Sequence, residues 1–104
     1  MSENRIFGLL EKDINSIVSI ISSNTKVESI IIFGSRAKGN NKAGSDIDVA
    51  VKGNSIGLDD ILNARMRFEQ LSLPYKIDLV IYDRVKEEEL ISHIDRAGII
   101  IFQR

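Results

Sequence analysis

Residues 31–53 of this chain read IIFGSRAKGNNKAGSDIDVAVKG, and this stretch decides the fold. It begins inside a compact β-branched run, residues 27–33, whose length and composition favour a buried strand over a short helix. It ends in a segment of alternating apolar and polar residues, which predicts a second strand over residues 46–52. The glycines, asparagines and serines between the two strands predict turns and loop, with one short helical turn left open.

The second predicted strand places two carboxylates on the same face. Successive side chains of a strand point to opposite faces, so Ile47, Val49 and Val51 share one face and Asp46, Asp48 and Ala50 share the other. Neighbouring carboxylates repel each other, and a divalent cation relieves that repulsion. The pair therefore predicts a magnesium site, with a solvated strand edge as the structural alternative.

Gly34 and Ser35 directly follow the first predicted strand and are suited to holding an anion. Glycine lets backbone N–H groups approach a phosphate closely, while serine adds a hydroxyl donor and can cap a helix whose N-terminus attracts phosphate. We call Gly34 and Ser35 the phosphate cradle. Because magnesium is usually coordinated by carboxylates and substrate phosphates together, the cradle and the aspartate pair are expected to act on the same substrate. We also assign Arg36 and Ser45 to nucleotide binding. Lys38 is a weaker candidate, since basic loop residues are most often simply solvated.

A third strand, predicted over residues 76–82, contributes one more carboxylate. Asp78 lies there between apolar neighbours, where a charged residue needs a partner or a metal. Phosphoryl transfer with two metal ions commonly recruits a further carboxylate that binds the second ion and accepts a proton. We therefore assign catalytic and metal-binding roles to Asp78 together with Asp46 and Asp48. An ion pair with Lys76 is the structural alternative for Asp78.

Helical periodicity accounts for most of the remaining chain. Apolar residues recur at intervals of three and four over residues 6–21 and again from residue 58 to Pro74, and residues 86–98 predict a short helix that ends at a glycine. His93, the only histidine, lies in this last helix, where a packing or surface role is preferred to catalysis. A short strand over residues 99–102 completes an α/β (α+β) architecture, in which helices pack on a small mixed β-sheet.

Composition narrows the classes of protein that remain. The 104 residues, 43% hydrophobic and 28% charged, predict one globular domain over residues 1–104. The 15 acidic and 14 basic residues nearly cancel, so the chain has no excess of positive charge that would attract duplex nucleic acid. The lack of cysteine excludes disulfides, thiolate metal sites and a cysteine nucleophile. The first residues match neither a signal peptide nor a membrane span, so a cytoplasmic protein without a membrane partner is expected.

Three segments resemble the signature of the DNA polymerase β-like nucleotidyltransferase superfamily, in particular its minimal nucleotidyltransferase (MNT) members: GSRAKG at 34–39, SDIDVAV at 45–51 and IDLV at 77–80. The resemblance implies the polymerase β-like fold, with the triphosphate of ATP or another NTP bound at Gly34 and Ser35. It also implies two Mg²⁺ ions held by Asp46, Asp48 and Asp78. The implied reaction transfers a nucleoside monophosphate, AMP where ATP is the substrate, and releases pyrophosphate.

The resemblance also implies a partner. Larger relatives add a helical domain that holds the base and the acceptor, whereas minimal members work beside a small all-helical protein, either a ribonuclease toxin or a substrate-binding subunit. We expect such a partner here, with the run GIIIFQR at 98–104 contributing an exposed apolar patch that homo-oligomerisation could cover instead. The alternative function is a non-catalytic, antitoxin-like binding module or a nucleotide sensor.

Overall fold

The computed structural model describes residues 5–40, 42 and 44–104, which form four α-helices, a short 3-10 helix at Tyr82–Arg84 and six strands. Helices α1 to α4 span Glu11–Ser22, Ser35–Lys38, Leu58–Leu71 and Glu88–Ala97. Strands β1 to β6 span Arg5–Ile6, Leu9–Leu10, Val27–Phe33, Ile47–Gly53, Ile77–Ile81 and Ile99–Gln103. None of the helices in these described residues combines the length and the hydrophobicity that a bilayer span requires.

The main sheet has four strands in the order β5-β4-β3-β6. Strand β3 is antiparallel to both β4 and β6, whereas β4 and β5 are parallel. Parallel neighbours need a long crossover, and α3 supplies it. The predicted mixed sheet with packed helices is therefore confirmed. The loop after β3, for which a short helical turn was considered, contains α2.

Helices cover both faces of the sheet. On one face, α1 and α3 pack against alternate residues of the central strands, including Ile30, Ile32, Val49 and Val51. On the other face, Ile94 of α4 packs against Ile31, Phe33 and Ala50. Because side chains alternate along a strand, Asp48 lies on the same face as Ala50, which is the face that α4 covers.

The N-terminal segment differs from the predicted helix over residues 6–21. Helix α1 begins only at Glu11, and β1 and β2 form a small antiparallel hairpin before it. Phe7 and Gly8 connect the two strands with φ angles of 60° and 73°. Two consecutive positive φ angles are typical of a tight two-residue hairpin turn and are incompatible with a right-handed helix.

Helix α3 confirms the helix predicted from its apolar spacing, but it leaves several of its apolar residues exposed. Its buried residues are Ile61 and Phe68, whereas Leu58, Leu62 and Met66 are 64%, 49% and 62% exposed. These three residues recur every four positions and form one stripe, because residues four apart lie on the same side of a helix. The helix therefore carries an apolar stripe beside the face that packs on the sheet.

Candidate active site

The three predicted carboxylates lie at one end of the sheet. Asp48 and Asp78 are register partners in the parallel pair of β4 and β5, and Asp46 immediately precedes β4. Register partners on adjacent strands are about 4.8 Å apart and point to the same face. The strands thus bring Asp48 and Asp78 side by side, with Asp46 two residues earlier on that face.

Asp48, one of these three carboxylates, has a clearly shifted pKa. Burial raises the pKa of the Asp48 carboxyl above its ordinary value, and the neighbouring Asp78 and Asp46 raise it further. A carboxylate that is partly removed from water among like charges is stabilised by a cation. The position therefore favours binding of a positive ion.

The carboxylates fit magnesium by chemistry and by placement on the backbone. Oxygen ligands on neighbouring strands suit this hard cation, which keeps several waters and needs few protein ligands. Within the described residues, the side chains as they stand do not form a group of three metal ligands. Asp46 is exposed, so packing does not prevent its carboxylate from rotating toward Asp48.

Gly34 links the carboxylates to the predicted phosphate cradle. Its backbone has φ 78° and ψ −154°, a conformation adopted almost only by glycine. A Cβ atom at this position would overlap the Asp48 carboxylate. The backbone at residue 34 therefore approaches Asp48 closely because no side chain intervenes, and the cradle adjoins the proposed metal site.

The amide of Gly34 has a partner that the sequence did not indicate. It donates a hydrogen bond to Nε2 of His93 over 2.9 Å. Ser35 follows as the first residue of α2, with Gly34 as its N-cap. In this structure, the N–H of the predicted cradle glycine is thus held by the imidazole of His93 on α4.

Arg36, predicted to bind the nucleotide, is only 2% exposed. Its guanidinium donates hydrogen bonds to the carbonyl of Phe7 at 2.8 Å and to that of Ser45 at 2.7 Å, and it lies 5.2 Å from the ring centre of Tyr75. These contacts join the β1–β2 turn and the segment before β4 to α2. They favour a structural role for Arg36 over direct contact with a phosphate.

We expect Arg36→Met to lower the free energy of unfolding by about 2–4 kcal/mol, because it removes charge-assisted hydrogen bonds and leaves carbonyls unsatisfied. Urea denaturation followed by circular dichroism measures this change. Lys38→Met is the matched control, since Lys38 is an exposed cation in the same helix. Equal stability of the two variants would contradict the structural role of Arg36.

The other predicted residues occupy the same region. Ser45 accepts the Lys42 N–H at its hydroxyl over 2.9 Å, and its carbonyl holds Arg36. Among the described residues, Lys76 forms no ion pair with Asp78, and the ion pair that is present joins Lys26 to Asp60. The structure therefore brings Gly34, Asp48 and Asp78 together, and it uses Ser45 to hold the loop.

A packing or surface role was predicted for His93, and its contact with Gly34 was not predicted. The imidazole does pack, edge to face, against Phe33 at 6.0 Å between ring centres. The sequence separation of 59 residues hides the contact with Gly34. Its one visible signal was a lone histidine in the helix that follows the strand of Asp78.

Comparisons with known proteins agree with this architecture. The sequence profile of the family described as "Polymerase beta, Nucleotidyltransferase" matches residues 15–104, which include all the candidate site residues. Among curated proteins, no sequence gave a significant match.

Two solved structures illustrate the likeness in fold. A chain of a toxin–antitoxin crystal structure with AMP-PNP superposes with a TM-score of 0.74 at 22% identity, covering 88% of this chain and 74% of that one. A chain from the complex of the tri-AMPylated Shewanella oneidensis HEPN toxin with MNT antitoxin superposes with a TM-score of 0.69 at 20% identity, covering 90% of this chain and 72% of that one. At these identities the likeness establishes the fold alone.

Proposed function

The chain belongs to the polymerase β nucleotidyltransferase family, and we propose that it is a magnesium-dependent enzyme that moves AMP from ATP to an acceptor hydroxyl. It does so beside a small helical partner, a toxin or a substrate-binding subunit. The observation that carries this proposal is the position of Asp48, which lies between the Gly34 backbone and the carboxylate of Asp78. Phosphate binding and metal binding therefore converge on one residue.

The residues of the chain suit an in-line phosphoryl transfer. Gly34 and Ser35 hold the triphosphate, and Asp46, Asp48 and Asp78 are the magnesium ligands. Bound magnesium would neutralise charge on the phosphates and on the carboxylates. The acceptor oxygen forms a bond to the α-phosphorus, the bond to the bridging oxygen breaks, and pyrophosphate leaves. Asp78 accepts the proton of the acceptor hydroxyl.

Two observations support a helical partner that supplies the acceptor. Both structural relatives described above come from toxin–antitoxin complexes, and one contains an AMPylated toxin. This chain exposes apolar surface on α3, at Leu58, Leu62 and Met66, and on the edge strand β6, where Ile99 and Ile100 are 38% and 56% exposed. Contiguous exposed apolar residues are typical of interaction sites.

The function is tested by co-expressing the chain with the product of the neighbouring reading frame and adding ATP labelled at the α-phosphate. With Mg²⁺, label should move to the partner or to a small molecule that it holds, and pyrophosphate should be released in equal amount. With EDTA, transfer should stop, because the triphosphate and the carboxylates repel each other without a cation.

The same experiment separates the alternatives. Stable association without transfer of label would support the antitoxin-like binding module. ATP binding by the isolated chain, without transfer to any acceptor, would support the nucleotide sensor. Equal ATP affinity in EDTA and in Mg²⁺, measured by calorimetry, would contradict the magnesium site itself.

A further inference from the structure

We propose that His93 is a positioning residue that fixes the Gly34 peptide for triphosphate binding. The inference rests on the function proposed above, because it assigns a role in nucleotide binding to a residue that contacts the cradle. His93 is the helix side chain that reaches the cradle glycine by a hydrogen bond, 2.9 Å from Gly34 N to Nε2.

Two contacts orient the imidazole of His93. Nε2 accepts the Gly34 N–H, so in this arrangement that nitrogen carries no proton, and the neutral ring has its proton on Nδ1. The ring packs edge to face on Phe33, with an angle of 72° between the planes. Phe33 is the last residue of β3, so His93 contacts both of the residues that are joined by the peptide leading from β3 into the cradle.

This peptide needs an external constraint. Glycine is the residue type with the greatest backbone freedom, and Gly34 lies where β3 ends and α2 begins. The orientation of its peptide determines where Ser35 lies relative to Asp48. Because α4 packs on the sheet through Ile94, the next residue after His93, the imidazole is anchored to the core while it holds Gly34.

Loss of this hydrogen bond should weaken triphosphate binding without impairing the chemical step. The cradle binds the triphosphate both before and during transfer, so a looser cradle raises KM for ATP and leaves kcat nearly unchanged. A residue that merely supported the fold would lower the amount of active protein and so reduce the apparent kcat instead.

The test compares His93→Leu with His93→Gln in the complex of the full chain and its partner. Leucine removes the acceptor, whereas the glutamine side-chain oxygen can occupy the position of Nε2 and accept the same N–H. We expect His93→Leu to raise KM for ATP about tenfold, and His93→Gln to restore it to within about threefold of the original value. An unchanged KM in His93→Leu, or equal defects in the two variants, would overturn the proposal.

Two further measurements separate failure of this inference from failure of the proposed function. Asp48→Asn in the same assay reports on the transfer chemistry, whatever His93 does. If the original chain transfers no nucleotide, the proposed function fails, and the Gly34 amide resonance in an NMR spectrum then decides the role of His93. His93→Leu should shift that resonance and accelerate its hydrogen exchange, while His93→Gln should reverse both effects. A resonance unaffected by His93→Leu would contradict the positioning role.

Discussion

Asp48→Asn is expected to reduce nucleotide transfer about 1,000-fold while leaving the fold intact. Asp48 lies beside Gly34 of the phosphate cradle and beside Asp78 on β5. Its loss therefore removes the proposed magnesium ligand that is nearest to the cradle. Metal binding contributes several kcal/mol of charge stabilisation, and about 4 kcal/mol corresponds to a factor of about 1,000 in rate. Initial rates with labelled ATP measure the effect.

The same variant should melt at a higher temperature at neutral pH. Burial and the neighbouring carboxylates raise the folded-state pKa of Asp48, so the ionised form destabilises the fold above that pKa. This penalty, and with it the advantage of asparagine, should disappear as the pH falls through the raised pKa toward the ordinary value of 3.8. Asp59→Asn, an exposed carboxylate on α3, is the matched control and should not affect transfer. Normal transfer by Asp48→Asn would refute the assigned role.

Gly34→Ala is expected to abolish measurable ATP binding and to lower the free energy of unfolding by about 1–3 kcal/mol. The added methyl group would overlap the Asp48 carboxylate, and the backbone of Gly34 lies in a region that alanine rarely adopts. Either the cradle or the carboxylate must therefore move. Calorimetry with Mg²⁺ and ATP, together with thermal melting, measures both effects.

Gly39→Ala tests whether a positive φ angle near the cradle is by itself enough to impair ATP binding. Gly39 has φ 79° and ψ 10°, in the left-handed helical region, whereas Gly34 has ψ −154°, and an added Cβ at Gly39 would meet no atom within 4 Å. We expect a stability loss of about 1 kcal/mol and unchanged ATP affinity. If Gly39→Ala impaired binding as strongly as Gly34→Ala, the contact between Gly34 and Asp48 would not be the cause.

The strands and the faces on which their side chains lie could be predicted from the sequence, because they depend on the order of neighbouring residues. The β-branched run of β3 and the alternation around Asp46 and Asp48 fix strands and faces directly, because both follow from the two-residue period of a strand. The placement of Asp48 beside Asp78 followed from the same alternation once a parallel neighbour was available. These local patterns also located the loop that contains Gly34.

The parts that depend on distant contacts were not predictable. Phe7 fits the apolar spacing of a helix, so the sequence predicted one there. The positive φ angles at Phe7 and Gly8, which make this segment a hairpin, are not visible in that spacing. A basic residue in a loop is usually solvated, but Arg36 is buried because the carbonyls of Phe7 and Ser45 accept hydrogen bonds from its guanidinium. Sequence periodicity likewise does not indicate which apolar stripe of α3 faces the sheet.

The pairing of β3 with β6 has a consequence for how the protein folds. Ile30 pairs with Phe102, so the sheet closes over roughly seventy residues of sequence, and closure of so long a loop is slow. Until β6 arrives, β3 presents an unpaired apolar edge, which can pair with other chains instead. Refolding should therefore become slower and less complete as the protein concentration rises, with helix content recovering before the sheet is finished.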